Sequence, residues 1–215
     1  MCKNTFKKLF NQMPFLKDFI INENTRIKLW KVSIGELKKL KLNKYDRVIL
    51  ESKKTDLSKE QFLSVRKLLE LENPKFKIRY DKSGRPSINS KLNISISHSK
   101  ELAGIVLSNS SKIGIDVQVS ESKILNIPNK FLNDSEILNT EYDVDNLIMI
   151  WTAKESIYKA LGINGASFSE NIIIDRIIEK EKKGEGHYVK GNKKIKFILN
   201  FFFLDNYTIC YAHGE

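Results

Sequence analysis

The chain of 215 residues, 41% hydrophobic and 29% charged, can bury a sizeable core and has a globular protein's balance. No stretch is apolar for the length of a membrane span, and the opening MCKNTFKKLFNQMPFLKDF lacks the uninterrupted apolar run of a secretory signal. The net charge of +11 favours anionic partners, and the two cysteines, Cys2 and Cys210, argue against a disulfide framework or cysteine metal site and for a reducing, cytoplasmic setting.

Taken in order, residues 26–32 (RIKLWKV) read as a strand, and Ser33 with Glu36 forms a capping box that predicts a short helix. Residues 44–57 are lysine-rich and carry no clear period. Ser58 and Gln61 make a second capping box, opening a helix over 58–71 whose apolar face is Phe62, Val65, Leu68 and Leu69. Arg66 lies off that stripe, where a solvated surface arginine is the plainer reading.

Residues 76–80 (FKIRY) alternate as a strand, 81–84 (DKSG) form a turn, and Arg85 is held extended by Pro86. Strands follow at 93–97, at 102–107, where apolar residues on both faces predict full burial, and at 113–119. Residues 120–143 read as a loop with a short helix around 128–138. A long amphipathic helix then spans 145–161, capped by Asp143 or Asp145 at its start and Gly162 at its end. Strands are expected at 171–178, 193–204 and 207–212. A helix followed by strands occurs twice, which predicts an α+β fold of two similar halves, residues 1–119 and 120–215, with a ligand cleft between them.

Three stretches carry candidate chemistry. On 113–119 (IGIDVQV) the alternation puts Ile113, Ile115, Val117 and Val119 on one face and Gly114, Asp116 and Gln118 on the other. Asp116 and Gln118 then stand roughly 6–7 Å apart along the strand, close enough for two oxygens to approach one magnesium ion, although for the strand alone an aspartate on a solvent-facing side is the plainer reading. In 93–99 (NISISHS) a serine face ends at His98, a pattern that can bind phosphate through hydroxyls and an imidazolium, although a lone histidine at a strand end is more often structural. On the long helix Lys154 projects from the apolar stripe, with Glu155 at its edge and Lys159 one turn on. Lys154 either snorkels to the surface or finds a buried partner such as a phosphate. There is no G-x-S-x-G elbow, Walker loop or G-x-G-x-x-G, so the usual serine-hydrolase and phosphate-loop routes are absent.

In combination, GRP (84–86), NISISHS (93–99), GIDVQ (114–118), FLNDSE (131–136) and WTAKESIYK (151–159) resemble the 4′-phosphopantetheinyl transferases, specifically the single-chain surfactin-synthetase-activating type. The resemblance covers roughly residues 60–170 and is weak over the first 50. It implies two halves related by a pseudo-twofold, a monomer, and transfer of the phosphopantetheine arm of coenzyme A to a serine of an apo acyl or peptidyl carrier protein. The product would be adenosine 3′,5′-bisphosphate, and the carrier would serve fatty acid, polyketide or nonribosomal peptide synthesis. By the same resemblance Asp116 and Glu155, with Gln118, would hold Mg²⁺, and Glu155 would take the serine proton. Lys154 and Lys159 would neutralise the pyrophosphate. Arg66, Arg85, Ser97 and His98 would hold the 3′-phosphate and adenine end, with Lys53 a further basic candidate. Gln118 stands where many members carry glutamate. The alternatives are a non-catalytic relative that binds coenzyme A or a carrier protein, and a basic nucleic-acid-binding protein. The second would rest on net charge and on Phe201, Phe202 and Phe203, with no nucleic-acid motif to support it.

Overall fold

A computed structural model describes residues 16–215, so Cys2 lies outside the described residues. Strands β1 (Leu16–Asn22) and β2 (Thr25–Lys31) form a hairpin, followed by helices α1 (Lys44–Glu51) and α2 (Asp56–Glu72). The short pair β3 (Ile78–Tyr80) and β4 (Pro86–Ile88) leads to β5 (Asn93–Ser99), β6 (Leu102–Ser108) and β7 (Ile113–Val119). Helices α3 (Asp134–Asn139) and α4 (Val144–Leu161) precede β8 (Ile172–Ile178), β9 (Lys183–Lys190), β10 (Lys193–Leu204) and β11 (Tyr207–Gly214). The fold is mixed α+β, as expected.

The larger strands make two sheets, a four-stranded one in the order β1-β2-β6-β5 and a five-stranded one in the order β7-β11-β10-β9-β8. The strand period sorts their side chains into layers. Trp30, Ala103, Ile105 and Leu107 of the first sheet receive Val65, Leu68 and Leu69 of α2. The opposite face, with Ile27, Leu29, Leu102 and Val106, packs on Ile113, Ile115, Val117, Ile209 and Tyr211 of the second sheet. Met149, Ala153, Ile157 and Ala160 of α4 cover that sheet's far side against Phe197, Leu199, Phe201 and Cys210. The order of layers is thus α2, first sheet, second sheet, α4. Every residue of β6 is buried because both of its faces are covered.

Several expectations shift. Residues 34–39 form turns rather than a helix, since Gly35 takes φ +85°, outside the helical region. Thr55, not Ser58, caps α2, with Ser58 as the reciprocal N3 partner, while Gln61 donates to the Lys100 carbonyl at 2.8 Å. The lysine-rich 44–57 contains α1, capped by Asn43. Strand β9 shows no hydrophobic alternation because Gly184 and Gly186 occupy inward positions, where a Cβ would stand 2.9 Å from the Arg176 carbonyl oxygen and 2.7 Å from that of Ile173. Strand β7, assigned by sequence to the first half, pairs with β11 as an edge of the second sheet.

Among the described residues no helix is long and apolar enough to cross a membrane. Phe201 belongs to the α4 core and Phe202 packs on Phe19 with ring centroids 4.6 Å apart, so two of the three consecutive phenylalanines serve packing.

Candidate active site

The face alternation read for residues 113–119 is the one observed. Its odd residues enter the inter-sheet core, while Gly114, Asp116 and Gln118 turn toward α4 and the cleft. Gly114 is required there. A Cβ at that position would overlap the Ser156 carbonyl oxygen and stand 2.7 Å from the Ala160 amide, so strand and helix touch through backbone. Ser156 locks the contact by donating to the Cys210 carbonyl at 2.9 Å. This close approach sets Asp116 beside the side chains that α4 projects at Glu155 and Lys159. The helix is punctuated as expected, with Asp143 as N-cap and Gly162 in the left-handed conformation at its end.

The resulting cleft, about 610 Å³, is lined by residues of β5, β7, α4 and the turn before β4. Asp116, Gln118, Glu155 and Lys159 line it together with Lys53, Phe62, Tyr80 and Arg85; Ser97 and His98 also contribute to the wall. Asp116, only 2% exposed, accepts at Oδ1 from Ser97 Oγ (2.8 Å) and Lys159 Nζ (2.6 Å) and at Oδ2 from Gln118 Nε2 (2.9 Å). Burial, with repulsion from Asp116, pushes the Glu155 carboxyl up to about 7 against the opposing pull of Lys159. A divalent cation would relieve the repulsion that Asp116 exerts on Glu155, and two carboxylates with an amide oxygen suit magnesium. No group of three or more His, Cys, Asp or Glu side chains is gathered for a metal among the described residues. An ion held by Asp116, Glu155 and Gln118 would therefore take water or phosphate oxygens for the rest of its shell. The residues present fit Mg²⁺.

His98 stands exposed on the cleft wall, and desolvation followed by the charges of Lys159 and Lys53 holds its pKa below the ordinary histidine value. Its imidazole is therefore neutral at neutral pH. The Arg85 guanidinium lies against Gly162 at the end of α4, which brings the loop of the first half onto the helix of the second; a Cβ at Gly162 would overlap it.

Three of the expected cofactor contacts are placed differently. Lys154 is 0% exposed and absent from the cleft wall. Its Nζ donates to Glu136 Oε2 (2.7 Å) and to the carbonyls of Phe168 (2.8 Å) and Ile172 (2.7 Å), filling all three of its donor positions. The buried partner inferred for Lys154 exists, but it is a carboxylate. Arg66 is buried too, with Nε and Nη2 on Asp46 Oδ1 (3.1 and 3.0 Å), Nη1 on the Tyr80 hydroxyl (3.1 Å) and its guanidinium 3.5 Å from the Phe62 ring centre. It stiffens the aromatic wall from behind instead of facing a phosphate. Ser97 reaches the cleft, but its hydroxyl is occupied by Asp116 and by the Val117 amide at 3.1 Å.

Glu136 was visible only inside the FLNDSE run. It caps α3 through the Asn133 amide, accepts from the Ile174 amide at 2.9 Å and neutralises Lys154. Phe62 and Tyr80 were read solely as core and strand positions, and nothing in their local pattern marks them as cleft walls.

No curated protein matches the chain. Residues 112–212, the segment that carries Asp116, Gln118, Glu155 and Lys159, match the family model of the 4′-phosphopantetheinyl transferase superfamily.

Proposed function

We propose that this protein transfers the 4′-phosphopantetheine arm of coenzyme A to a serine hydroxyl of an apo acyl or peptidyl carrier protein, releasing adenosine 3′,5′-bisphosphate. The observation that carries the proposal is the convergence of Asp116, Glu155, Gln118 and Lys159 in one cleft that the basic Lys53 and Arg85 and the aromatic Phe62 and Tyr80 also line. Such a cleft matches a ligand with a pyrophosphate in the middle and a phosphorylated nucleoside at one end. The reading extends to the single-chain type with two halves related by a pseudo-twofold, acting in the cytoplasm as a monomer.

Attack on phosphorus beside a pyrophosphate is helped chiefly by charge neutralisation and alignment. Mg²⁺, held by Asp116, Glu155 and Gln118, would supply part of that neutralisation. Lys159, already 2.6 Å from Asp116, supplies a further positive charge beside it. Glu155 is the candidate to receive the serine proton, directly or through a water. Arg85, His98 and Lys53 offer cationic or protonatable groups for the 3′-phosphate. The net charge of +11 favours encounter with acidic carrier proteins.

The test is intact-mass measurement of an apo carrier protein incubated with this protein, coenzyme A and Mg²⁺. A gain of one phosphopantetheinyl group, lost with EDTA and with Glu155→Gln, is expected. No gain on carriers from fatty acid, polyketide and peptide systems, under conditions where coenzyme A binds, would refute the proposal.

A further inference from the structure

The serine face of β5 meets the outer edge of β7 in a repeated arrangement. Ser95, Ser97 and Ser99 accept through Oγ from the amides of Ile115 (3.1 Å), Val117 (3.1 Å) and Val119 (3.3 Å), each partner 20 residues along the chain. Edge amides that would otherwise lack partners in a buried junction are thereby satisfied by hydroxyls. The middle rung differs from its neighbours: Ser97 also donates to Asp116 Oδ1 at 2.8 Å.

A hydroxyl has one proton to give, so Ser97 has no donor left for a cofactor phosphate. Seen from Asp116, Oδ1 is filled by Ser97 and Lys159, and Oδ2 holds Gln118 alone. A carboxylate offers about four acceptor positions, which leaves one uncommitted on Oδ2. Lys159 and Gln118 are long, partly exposed side chains, whereas Ser97 is 6% exposed and tied to the β7 backbone. We infer that Ser97 is a positioning residue: from the first sheet it fixes the rotation of the Asp116 carboxylate, so that the free Oδ2 position is held ready for a divalent cation. The cation itself rests on the function proposed above. A residue that merely joined the two sheets would behave as Ser99 does.

The experiment compares the full-length protein with Ser97→Ala, Ser97→Cys and Ser99→Ala, using Mn²⁺ as a paramagnetic probe of cation binding. Thermal melting and carrier modification are measured alongside. Loss of a group that orients a metal ligand typically weakens metal binding by about 10–100-fold. Ser97→Ala is therefore expected to weaken Mn²⁺ binding by about tenfold or more. Ser97→Cys, a weak donor of similar size, is expected to weaken it too and keeps the test alive should the alanine variant not fold. Ser99→Ala should lower the melting temperature about as much as Ser97→Ala while binding Mn²⁺ as the parent does. Parent-like Mn²⁺ affinity in both Ser97 variants, or equal loss in Ser99→Ala, overturns the inference and leaves the transferase reading standing if the parent still modifies a carrier. A parent protein that neither binds Mn²⁺ nor modifies a carrier overturns both.

Discussion

Replacing Lys154 by methionine separates the two roles that this lysine has been given. If Lys154 faced a pyrophosphate, the folded protein would keep its stability and lose affinity for coenzyme A. In the structure Lys154 Nζ is fully buried, 2.7 Å from Glu136 Oε2 and within hydrogen-bond distance of two carbonyls. Methionine keeps the stem's volume but strands a buried carboxylate and the two carbonyls. Breaking a buried ion pair by removing one partner costs about 3–5 kcal/mol. At about 2–4 °C per kcal/mol for a protein of this size, the melting temperature should fall by on the order of 10 °C. Removing both charges, in Lys154→Met with Glu136→Gln, should recover part of that loss, because the amide oxygen can still accept from the Asn133 or Ile174 amide. Urea unfolding gives the stabilities, and coenzyme A titration of each variant at a temperature where it is folded gives the binding. A Lys154→Met protein with parent-like stability and a tenfold higher KM for coenzyme A would refute the structural assignment.

Glu155→Gln should abolish transfer and change the pH dependence of stability. A carboxyl raised from 4.5 to about 7 by the fold gives a contribution fully present below about 4.5 and gone above about 7. At about 1.36 kcal/mol per unit, the free parent should lose roughly 3 kcal/mol over that window relative to Glu155→Gln. Urea titrations at several pH values in EDTA check this, and parallel curves for the two proteins would remove the assignment. Gln118→Glu adds a carboxylate beside Asp116 and should lower the Mg²⁺ concentration for half-maximal rate; an unchanged requirement would place residue 118 away from the ion. His98→Ala and Arg85→Ala should raise KM for coenzyme A more than for dephospho-coenzyme A, and equal losses would refute the 3′-phosphate role. Arg66→Ala should instead destabilise the fold by about 3–5 kcal/mol, because it strands buried Asp46, with any cofactor loss the same for both substrates.

What was legible in the sequence follows from what a period encodes. The alternation of IGIDVQV gave the bounds of β7 and the face that presents Asp116, because neighbours two apart along a strand share a side whatever lies opposite. The 3.6-residue period, with an aspartate before and a glycine after, located α4 to within a residue at its start. Where glycines stood at inward positions, as in β9, no hydrophobic alternation remained to be read.

Partner identity is a different quantity. Lys154 breaks an apolar stripe, and that irregularity announces a buried cation together with its need of a counter-charge. Its carboxylate lies 18 residues away on another helix, and the same sequence would look no different were the partner a phosphate. Arg66 shows the converse. It sits off the apolar face, which suggests solvent, yet α1 brings Asp46 over it from 20 residues upstream. Ser97 and Lys159 reach Asp116 from 19 and 43 residues away, on opposite sides in sequence. The side chains that stay open to the cleft, among them Glu155, Arg85 and His98, are thus recognisable only by subtraction, once the long-range pairs have claimed Lys154, Arg66 and Ser97. A functional lysine and a structural one are chemically identical; the donor positions already filled tell them apart, and for Lys154 all three are.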